Sequence, residues 1–235
     1  MLSFTFDGKE SYKDFGLVIV KRPTLPSPKR RVHFMDIPGR HSAVRYDEKT
    51  YEDITVLVEC ALLARKNLVN RLDAIKGWLF AAGESDLIFS FQDDKKYRAQ
   101  VVNAIDFTQV YRYASTFPIL FHCRPFKYAL VNNMITITAS GQDVYNPGTV
   151  ESEPVLTIFG QGNVTVTING ERIELFDVNG KIIVNAELKD CYDDALQNRN
   201  NQMAGNFPIL KRGDNHITWT GNVQKIELLP NWRWL

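Results

Sequence analysis

The clearest pattern of apolar positions lies between Asn67 and Gly83. Its members recur at the three- and four-residue steps of one helix face: Leu68, Leu72, Ile75 and Leu79. Asn67 stands where a capping side chain is expected, and Gly83 stands where a chain leaves a helix in the left-handed conformation. The spacing predicts one amphipathic helix, whose stripe is centred on Leu72 and faces a core.

Most other segments are rich in β-branched and aliphatic residues and predict strands. In the first half these are two short strands within 4–20, single strands at 32–37 and 51–63, a hairpin of 87–91 with 97–107 around a polar loop at 92–96, and a strand at 113–123. Arg124-Pro125-Phe126 is expected to end the last of them, because proline cannot donate to a ladder. Pro23, Pro26 and Pro28 likewise predict an extended arm rather than a central strand.

The second half alternates apolar and polar positions, which is typical of strands with one buried face. Asn169-Gly170 is a preferred hairpin dipeptide, and it would set Val166 opposite Ile173 and Val164 opposite Leu175. Asn179-Gly180 predicts a second turn that sets Leu175 opposite Val184. Residues 191–206 are polar and predict a long loop, followed by strands at 215–219 and 223–229. The sequence therefore predicts a second domain that is a β-sandwich.

The domain boundary is expected near residues 125–133, where proline and Asn132-Asn133 interrupt the strands. The predicted domains are residues 1–130 and residues 131–235. The fold class predicted for the whole chain is mainly β with one helix.

Composition narrows the function classes. The 235 residues are 44% hydrophobic and 23% charged, with a net charge of +1, which argues against a strongly basic nucleic-acid binder. Three widely spaced cysteines do not predict a disulfide framework and fit a reducing cytosol. No apolar run is long enough to cross a membrane, and the start lacks the pattern of a signal peptide, so export is not expected.

The charge is uneven along the chain. Residues 1–128 hold 20 basic and 15 acidic residues, whereas residues 129–235 hold 8 and 12. Most of the positive excess lies between Lys21 and Arg45. This segment is either a solvated loop or a docking surface for an acidic partner or a nucleic acid.

No catalytic, cofactor or metal motif is present in the sequence. There is no nucleophile elbow and no P-loop, and Gly160-Gln-Gly162 lacks the third glycine of a dinucleotide fingerprint. The four histidines do not have metal-ligand spacing. Asp93 and Asp94 are adjacent acids in a polar segment, which favours solvated carboxylates over a catalytic pair. The sequence therefore predicts a protein that is not an enzyme and that binds no cofactor.

The tryptophans near the C-terminus leave two interpretations open. Exposed indole faces of Trp219, Trp232 and Trp234 could stack on sugar rings. Alternatively, Trp219 shares a core face with Ile217 while the other two pin the tail, which agrees better with the usual burial of tryptophan.

Several motifs, in order along nearly the whole chain, resemble the distal tail (Dit) proteins of siphophages. In the first half they are Phe4-Thr-Phe-Asp-Gly8, Phe15-Gly16-Leu17, the proline arm, Ile37-Pro-Gly-Arg40, Trp78-Leu79 and Phe121-His-Cys-Arg-Pro125. In the second half they are Asn146-Pro-Gly148, Pro154-Val-Leu-Thr-Ile158, Ile168-Asn-Gly170, Phe207-Pro-Ile-Leu210, Gly213-Asp-Asn215 and Pro230-Asn-Trp-Arg-Trp-Leu235. One departure is His41-Ser42 after Pro-Gly-Arg, where many members carry an acidic residue and glycine.

This resemblance implies a fold and a function that the chemistry alone does not supply. The implied fold is an N-terminal ring-forming domain, a β-sandwich plus helix with an extended arm, and a C-terminal galectin-like β-sandwich. The implied function is structural: a ring, expected to be hexameric, at the distal end of the phage tail tube. The candidate interface residues of the arm are Arg22, Pro23, Pro26, Pro28, Arg30 and Arg31.

The implied partners are other copies of the chain, the tail tube protein and the tail-tip hub protein. DNA would pass through the lumen without specific binding, and no membrane is involved. The implied location is the tail tip of the virion, after synthesis in the cytoplasm of the bacterial host. The main alternative is a carbohydrate-binding adhesion module that recognises glycans of the host cell surface.

Overall fold

The structure is a computed structural model that describes residues 1–63, 67–103, 105, 108–111 and 114–235. Parts of two predicted strands, at residues 104, 106–107 and 113, lie outside the described residues. The chain divides into two compact units, one of Met1–Leu130 with Leu235 and one of Val131–Trp234.

The first unit is a β-sheet with two helices. Its helices are α1 (Ser11–Phe15) and α2 (Leu68–Ala81). Its strands are β1 (Phe4–Phe6), β2 (Lys9–Glu10), β3 (Leu17–Ile19), β4 (Arg30–Met35), β5 (Val44–Tyr51), β6 (Ile54–Leu63), β7 (Ser85–Phe89), β8 (Gln92–Val101), β9 (Thr108–Tyr111) and β10 (Ala114–Ala129). The main sheet has the order β2-β1-β7-β8-β10-β6-β3, with β9 also paired to β10, whereas β4 and β5 pair only with each other.

The main sheet curls until its two ends meet. The backbone N–H of Ile19, on β3 at one end of the sheet, donates to the carbonyl of Leu2 at 3.0 Å, and Leu2 lies two residues before β1 near the other end. The edge of β3 therefore has a backbone partner, and less of the sheet is open to strand addition by another molecule.

An aromatic cluster fills the space between α2 and the sheet. Trp78 of α2 is buried, its ring stacks on Phe15 at 4.4 Å between centroids, and its Nε1–H donates to the carbonyl of Phe6 at 3.1 Å. Phe4 lies against both Trp78 and Phe121 of β10. The indole therefore joins α2, α1 and β1 in one core that continues through Phe4 to β10, and its polar N–H is satisfied.

The predicted helix is confirmed, but the centre of its buried face is not at Leu72. Leu68, Ile75, Trp78 and Leu79 are buried. Leu72 is only half-buried at the rim of the core. It lies about 60° around the helix from Ile75, and Trp78 extends the buried face in the opposite direction. The prediction that the stripe is centred on Leu72 is therefore wrong.

Because Leu72 is at the rim, we expect Leu72→Ala to lower the free energy of unfolding by only about 1–2 kcal/mol, less than a fully buried leucine would cost. Asp73, the next residue of the helix, is exposed. Asp73→Ala should change the same quantity by no more than about 0.5 kcal/mol. Urea-dependent hydrogen exchange of peptides from residues 67–82 measures both variants, and equal effects would contradict this placement of the core face.

Three further expectations for the first unit are corrected. The prediction of a single helix missed α1, whose five residues are too few to show a helical period. The hairpin of β7 and β8 turns at Ser90-Phe91, so the residues predicted as its loop, 92–96, lie in β8. Pro125 does not end β10, because a register shift between Cys123 and Lys127 accommodates a residue that cannot donate.

The second unit is an all-β domain. The strands of its sheet are β11 (Ile135–Ile137), β12 (Gln142–Asn146), β13 (Val155–Ile168), β14 (Glu171–Asn185), β15 (Asp190–Tyr192), β16 (Met203–Gly205) and β17 (Gly213–Leu229). The short strand β18 (Arg233–Trp234) follows β17 in the chain and is not part of this sheet. A short 3₁₀ helix spans Asn200–Gln202. The strand order is β11-β17-β13-β14-β15, with β12 also on β17 and β16 also on β14.

Three long strands of this unit, β13, β14 and β17, pass through both of its layers. One end of β17 pairs with β12 and the other with β11, while one end of β14 pairs with β16 and the other with β15. On β14 the buried positions change from odd to even numbers between Leu175 and Val178, where Asp177 has a positive φ of 51°. Both ends of the long strands then contribute to one apolar core. The sheet therefore bends over itself to form a sandwich.

The first predicted turn of this unit is confirmed and the second is wrong. Val166 pairs with Ile173 and Val164 with Leu175 around Asn169-Gly170. Asn179-Gly180 lies inside β14, paired with Gln161 and Gly160, and Val184 pairs with Leu156. This Asn-Gly pair lies where a continuous strand bends. Gly180 has a positive φ there, which glycine tolerates.

Two predictions about the end of the chain are also corrected. The segment predicted as a loop, 191–206, includes the last two residues of β15, the 3₁₀ helix and β16. The strands predicted at 215–219 and 223–229 form the single strand β17. In β17, polar side chains interrupt the apolar pattern without ending the strand.

Candidate subunit interface

The proline arm, residues 21–29, lies on the body of the first unit. Leu25 packs against the core, and the Arg22 guanidinium lies over the Phe91 ring at 5.1 Å from its centroid. Pro23 and Pro26 line a groove of about 280 Å³ together with Leu57 of β6. Lys21 and Glu59 also line this groove. The arm is therefore held by its own chain, and it forms one wall of a surface groove.

The six candidate residues fall in two places. Arg22, Pro23 and Pro26 line the groove, and Pro28 is half-exposed at the end of the arm. Arg30 and Arg31 begin β4, where they belong to the hairpin of β4 and β5 rather than to the arm. Their role at a subunit interface stays a prediction.

The β4–β5 hairpin is the element that the body of the unit does not cover. Its two strands pair only with each other, and most of their residues are exposed. Phe34 and Tyr46 are each 62% exposed, and Met35 and Ile37 are exposed beside them. Four large exposed apolar side chains on or next to a two-stranded sheet are unusual for a solvated hairpin.

Ion pairs stabilise the hairpin internally. The Arg30 guanidinium lies 2.8 Å from the Asp47 carboxylate, the Lys29 ammonium lies 3.5 Å from Glu52, and the His33 ring lies 2.6 Å from Glu48. Hydrogen bonds from the Lys49 backbone N–H and from Arg30 lower the pKa of Asp47. The hydrogen bond from His33 lowers the pKa of Glu48.

We expect the lowered pKa of Glu48 to depend on His33. In the protein the Glu48 carboxyl should titrate below its ordinary value of 4.5, and in His33→Phe its pKa should rise toward that value. The hydrogen bond to the Glu48 carboxylate then contributes above the unfolded pKa of Glu48 and is lost as the pH falls through its folded pKa. A carboxyl NMR titration measures this. Asp47 is the internal control, because its partners are Lys49 and Arg30, and a parallel rise at Asp47 would contradict the assignment.

Other candidate chemical groups do not form a reactive site. Burial raises the pKa of Cys60 and Cys123 to about 12 and that of Cys191 to about 11, so these thiols are protonated at neutral pH. Asp93 and Asp94 are exposed on β8, and the Lys95 ammonium lowers the pKa of Asp94. A general acid would need the opposite shift. Among the described residues, no group of three or more His, Cys, Asp or Glu side chains could hold a metal ion.

Two of the tryptophans considered as sugar platforms are partly buried. Trp219 and Trp232 pack against the core of the second unit. This agrees with the interpretation in which Trp219 shares the core face of Ile217. In the part of the chain that the structure describes, no helix is long and apolar enough to cross a membrane.

The sequence predicted β4 but not the hairpin. The run Val32–Ile37 followed by Pro38-Gly39 indicates a strand and a turn. The returning strand, β5, carries Arg45, Asp47, Glu48 and Lys49 and was hidden by these charges. Phe34, Met35 and Tyr46 could have been singled out as apolar residues within a strongly charged segment.

Comparisons with known proteins concern the fold. No family model matches the chain, and no curated protein matches its sequence. Among solved structures, the chain is similar to the SPP1 Dit protein, a paradigm of the hub adsorption apparatus in phages that infect Gram-positive bacteria, with a TM-score of 0.80, 13% identity and 100% coverage of both chains. It is also similar to a chain of the phage p2 baseplate in its activated conformation with Sr, with a TM-score of 0.54, 10% identity and 97% coverage of each chain. The chain therefore has the Dit fold, which confirms the predicted fold class and the resemblance at the level of fold.

Proposed function

We propose that this protein is a structural, non-enzymatic subunit of a phage tail tip, where copies of it form a ring at the distal end of the tail tube. The Dit fold over the whole chain supports this proposal. The single observation that carries it is the β4–β5 hairpin, an apolar element that the chain itself leaves uncovered.

An isolated two-stranded hairpin is marginally stable in water, because it has no third strand or helix to bury its apolar side chains. Here the hairpin also exposes Phe34 and Tyr46. A neighbouring copy that covers these side chains would stabilise the hairpin and the assembly together. The proline arm precedes the hairpin and fixes its point of departure, since proline lowers the entropy that docking removes.

The hairpin and its receiving surface are different parts of one chain. Such a contact is heterologous, and it closes into a ring when the rotation between successive subunits allows. Six subunits is the number that the resemblance implies. We propose that the tail tube and the tail-tip hub bind the two sides of this ring, that DNA passes through its lumen without specific contacts, and that the protein resides in the virion.

The test is the mass of the full-length protein in solution, measured by native mass spectrometry and by sedimentation over a range of concentrations. We expect a closed oligomer, with six copies as the main species, and a ring in electron micrographs. Tyr46→Ser should shift the equilibrium toward monomer by at least about tenfold, since truncating a buried aromatic anchor typically costs 2 kcal/mol or more.

The matched control is Tyr145→Ser. Tyr145 is 65% exposed in the second unit, so this variant removes an equally exposed ring outside the hairpin. It should leave the oligomer intact. A strictly monomeric wild-type protein at high concentration would contradict the ring, and equal effects of the two variants would contradict the hairpin as its interface.

A further inference from the structure

A groove of about 680 Å³ lies between α1 and α2 of the first unit. The rings of Tyr12 and Phe15 line it from α1, and Arg71 and Ala74 line it from α2. Tyr12 is 48% exposed, although it is a large ring on a helix of only five residues. The groove therefore presents an aromatic wall and one face of a longer helix to a ligand.

The aromatic wall is fixed in place by the chain itself. The Phe15 ring stacks on the buried Trp78 ring at 4.4 Å between centroids. The backbone N–H of Gly16, which has a left-handed conformation, donates to the Tyr12 carbonyl at 2.8 Å. At the start of α1, the hydroxyl of the buried Ser11 accepts a backbone N–H from β1 at 3.0 Å. A wall that is ordered before binding loses little entropy when a ligand docks on it.

The groove carries more positive than negative charge. A Cβ on Gly16 would lie 3.4 Å from Nη1 of Arg71, so the guanidinium lies beside α1. Among the described residues, neither Arg71 nor Lys13 has an ion-pair partner. The Asp14 carboxylate also lines the groove, and it accepts the Glu10 backbone N–H at 2.7 Å. Two cations are therefore available to a ligand, and the fork of an arginine binds a carboxylate through two parallel hydrogen bonds.

Small residues form the surface of α2 beside the groove. Gly77 follows Ala74 by three positions and therefore lies one turn further along the same side of the helix. Glycine is unfavourable in a helix interior, and its φ at this position is not left-handed. Gly77 is exposed, and a Cβ there would have nothing within 4 Å. Packing within the chain does not require this glycine, whereas a segment that lies across α2 at close range would.

The α1–α2 groove and the arm lie on opposite faces of the main sheet. On β6, Val56 and Val58 belong to the same core as α2, whereas the alternating Leu57 and Glu59 line the groove of the arm. The proposed contact between copies uses the hairpin and the arm. It therefore leaves the α1–α2 groove open to a different protein.

We propose that the α1–α2 groove binds an acidic segment of another protein of the tail tip. The segment lies across Ala74 and Gly77, places a carboxylate against Arg71 and Lys13, and packs its apolar side chains on the ring of Tyr12. This inference rests on the proposed function, which supplies the tail tip as the setting. A nucleic acid fits less well, because two cations beside a carboxylate neutralise few phosphates.

A library of random peptides displayed on yeast and sorted against the full-length protein tests this inference. Peptides selected by the wild-type protein should be enriched in acidic residues next to apolar ones. Arg71→Glu should bind the selected peptides at least about tenfold more weakly, because it sets a like charge against their carboxylates. The matched control is Arg212→Glu, since Arg212 is an exposed arginine of the second unit. This control should bind the peptides as the wild type does.

Gly77→Leu separates binding from folding. Leucine is more favourable than glycine in a helix, so this variant should be at least as stable as the wild type. The leucine side chain would occupy the open space above α2, and the selected peptides should therefore bind at least about tenfold more weakly. Full affinity of Gly77→Leu for these peptides would overturn the placement of the segment across α2.

Selected peptides without acidic enrichment, or equal losses in Arg71→Glu and Arg212→Glu, would overturn the inference. Tighter binding of a single-stranded DNA oligonucleotide than of the selected peptides would assign the groove to a nucleic acid instead. Arg71→Glu should form rings as the wild type does. If only this variant is monomeric, the groove is a contact between copies, and the inference is wrong while the ring stands. Failure of the wild-type protein to form rings would contradict the proposed function itself.

Discussion

Replacing Asn215 by aspartate is expected to destabilise the second unit by about 3–5 kcal/mol at neutral pH, because the change buries a negative charge that the neutral Asn169 amide, which donates to Oδ1 of residue 215, does not balance. Asn215 is fully buried on β17. Its Nδ2 donates to the carbonyls of Val144, Lys211 and Gly213 at 3.2, 2.8 and 2.9 Å. A carboxylate in this position would set an oxygen against three carbonyl oxygens and would remove the side-chain donor that they share.

The effect of Asn215→Asp should depend on pH with a definite sign. Burial and the facing carbonyl oxygens raise the folded pKa of the introduced carboxyl above its unfolded value of about 3.9. Stability is therefore highest below the unfolded pKa and is lost as the pH rises through the folded pKa. The variant should approach its best stability near pH 4 and lose it toward pH 7.

Asn179→Asp is the matched control for this substitution. Asn179 is exposed on β14, so the same change in charge there buries nothing. Urea-dependent hydrogen exchange of peptides from residues 131–234 gives the free energy of opening for both variants, with peptides from the first unit as an internal reference. A pH-independent loss of stability, or an equal loss in the two variants, would show that the hydrogen bonds of Asn215 do not have the role described here.

The second large effect is expected from Gly221→Ala. Gly221 has a φ of +94° at the bend of β17, and a Cβ there would lie 2.4 Å from the carbonyl oxygen of Asn163 on β13. Alanine would therefore have to adopt an unfavourable backbone conformation and also push two paired strands apart. We expect a loss of roughly 3–5 kcal/mol, the sum of about 1–2 kcal/mol for the left-handed conformation and the strain of displaced backbone.

Gly141→Ala separates the two contributions. Gly141 has nearly the same φ, +91°, but a Cβ there would have nothing within 4 Å. Its substitution should cost only the conformational part, about 1–2 kcal/mol. The same hydrogen-exchange experiment measures both variants. If the two alanines cost the same, the close approach of β13 and β17 at Gly221 has no energetic importance.

The sequence revealed those parts of the fold whose signals are local and periodic. The stripe from Leu68 to Leu79 predicted α2, because a buried helix repeats its apolar positions every three or four residues. Asn169-Gly170 predicted the turn between β13 and β14 with its register, because few dipeptides fit that turn.

The prediction failed where a dipeptide or residue typical of a turn or a strand end lies inside a strand. Asn179-Gly180 has the composition of a turn, yet it lies in a strand that bends, and only the partner residues Gln161 and Gly160 distinguish the two cases. Pro125 was expected to end a strand that a bulge carries past it. Whether Asn179-Gly180 forms a turn and whether Pro125 ends a strand both depend on pairing with residues that are distant in sequence. Local sequence patterns carry no information about these partners.

At the candidate interface, too, the local sequence predicted the conformation of the arm but not its tertiary contacts. Three prolines predicted an extended segment, and residues 21–29 form no helix or strand. That Leu25 anchors the arm to its own body, while Phe34 and Tyr46 are left uncovered, depends on tertiary packing. Mixed charged and apolar positions along β4 and β5 hid the hairpin, because its two faces do not differ enough to produce a clear alternation.

The long strands of the second unit have a consequence for how it unfolds. Because β13, β14 and β17 each run through both layers, no layer consists of strands of its own that could detach while the other persists. Breaking the ladder in one layer frees the backbone that continues into the other. We therefore expect residues 155–229 to open in one cooperative step, with the amides of both layers exchanging hydrogen at a common free energy. Such a unit has few partly folded states in which a protease or an aggregating neighbour could capture it.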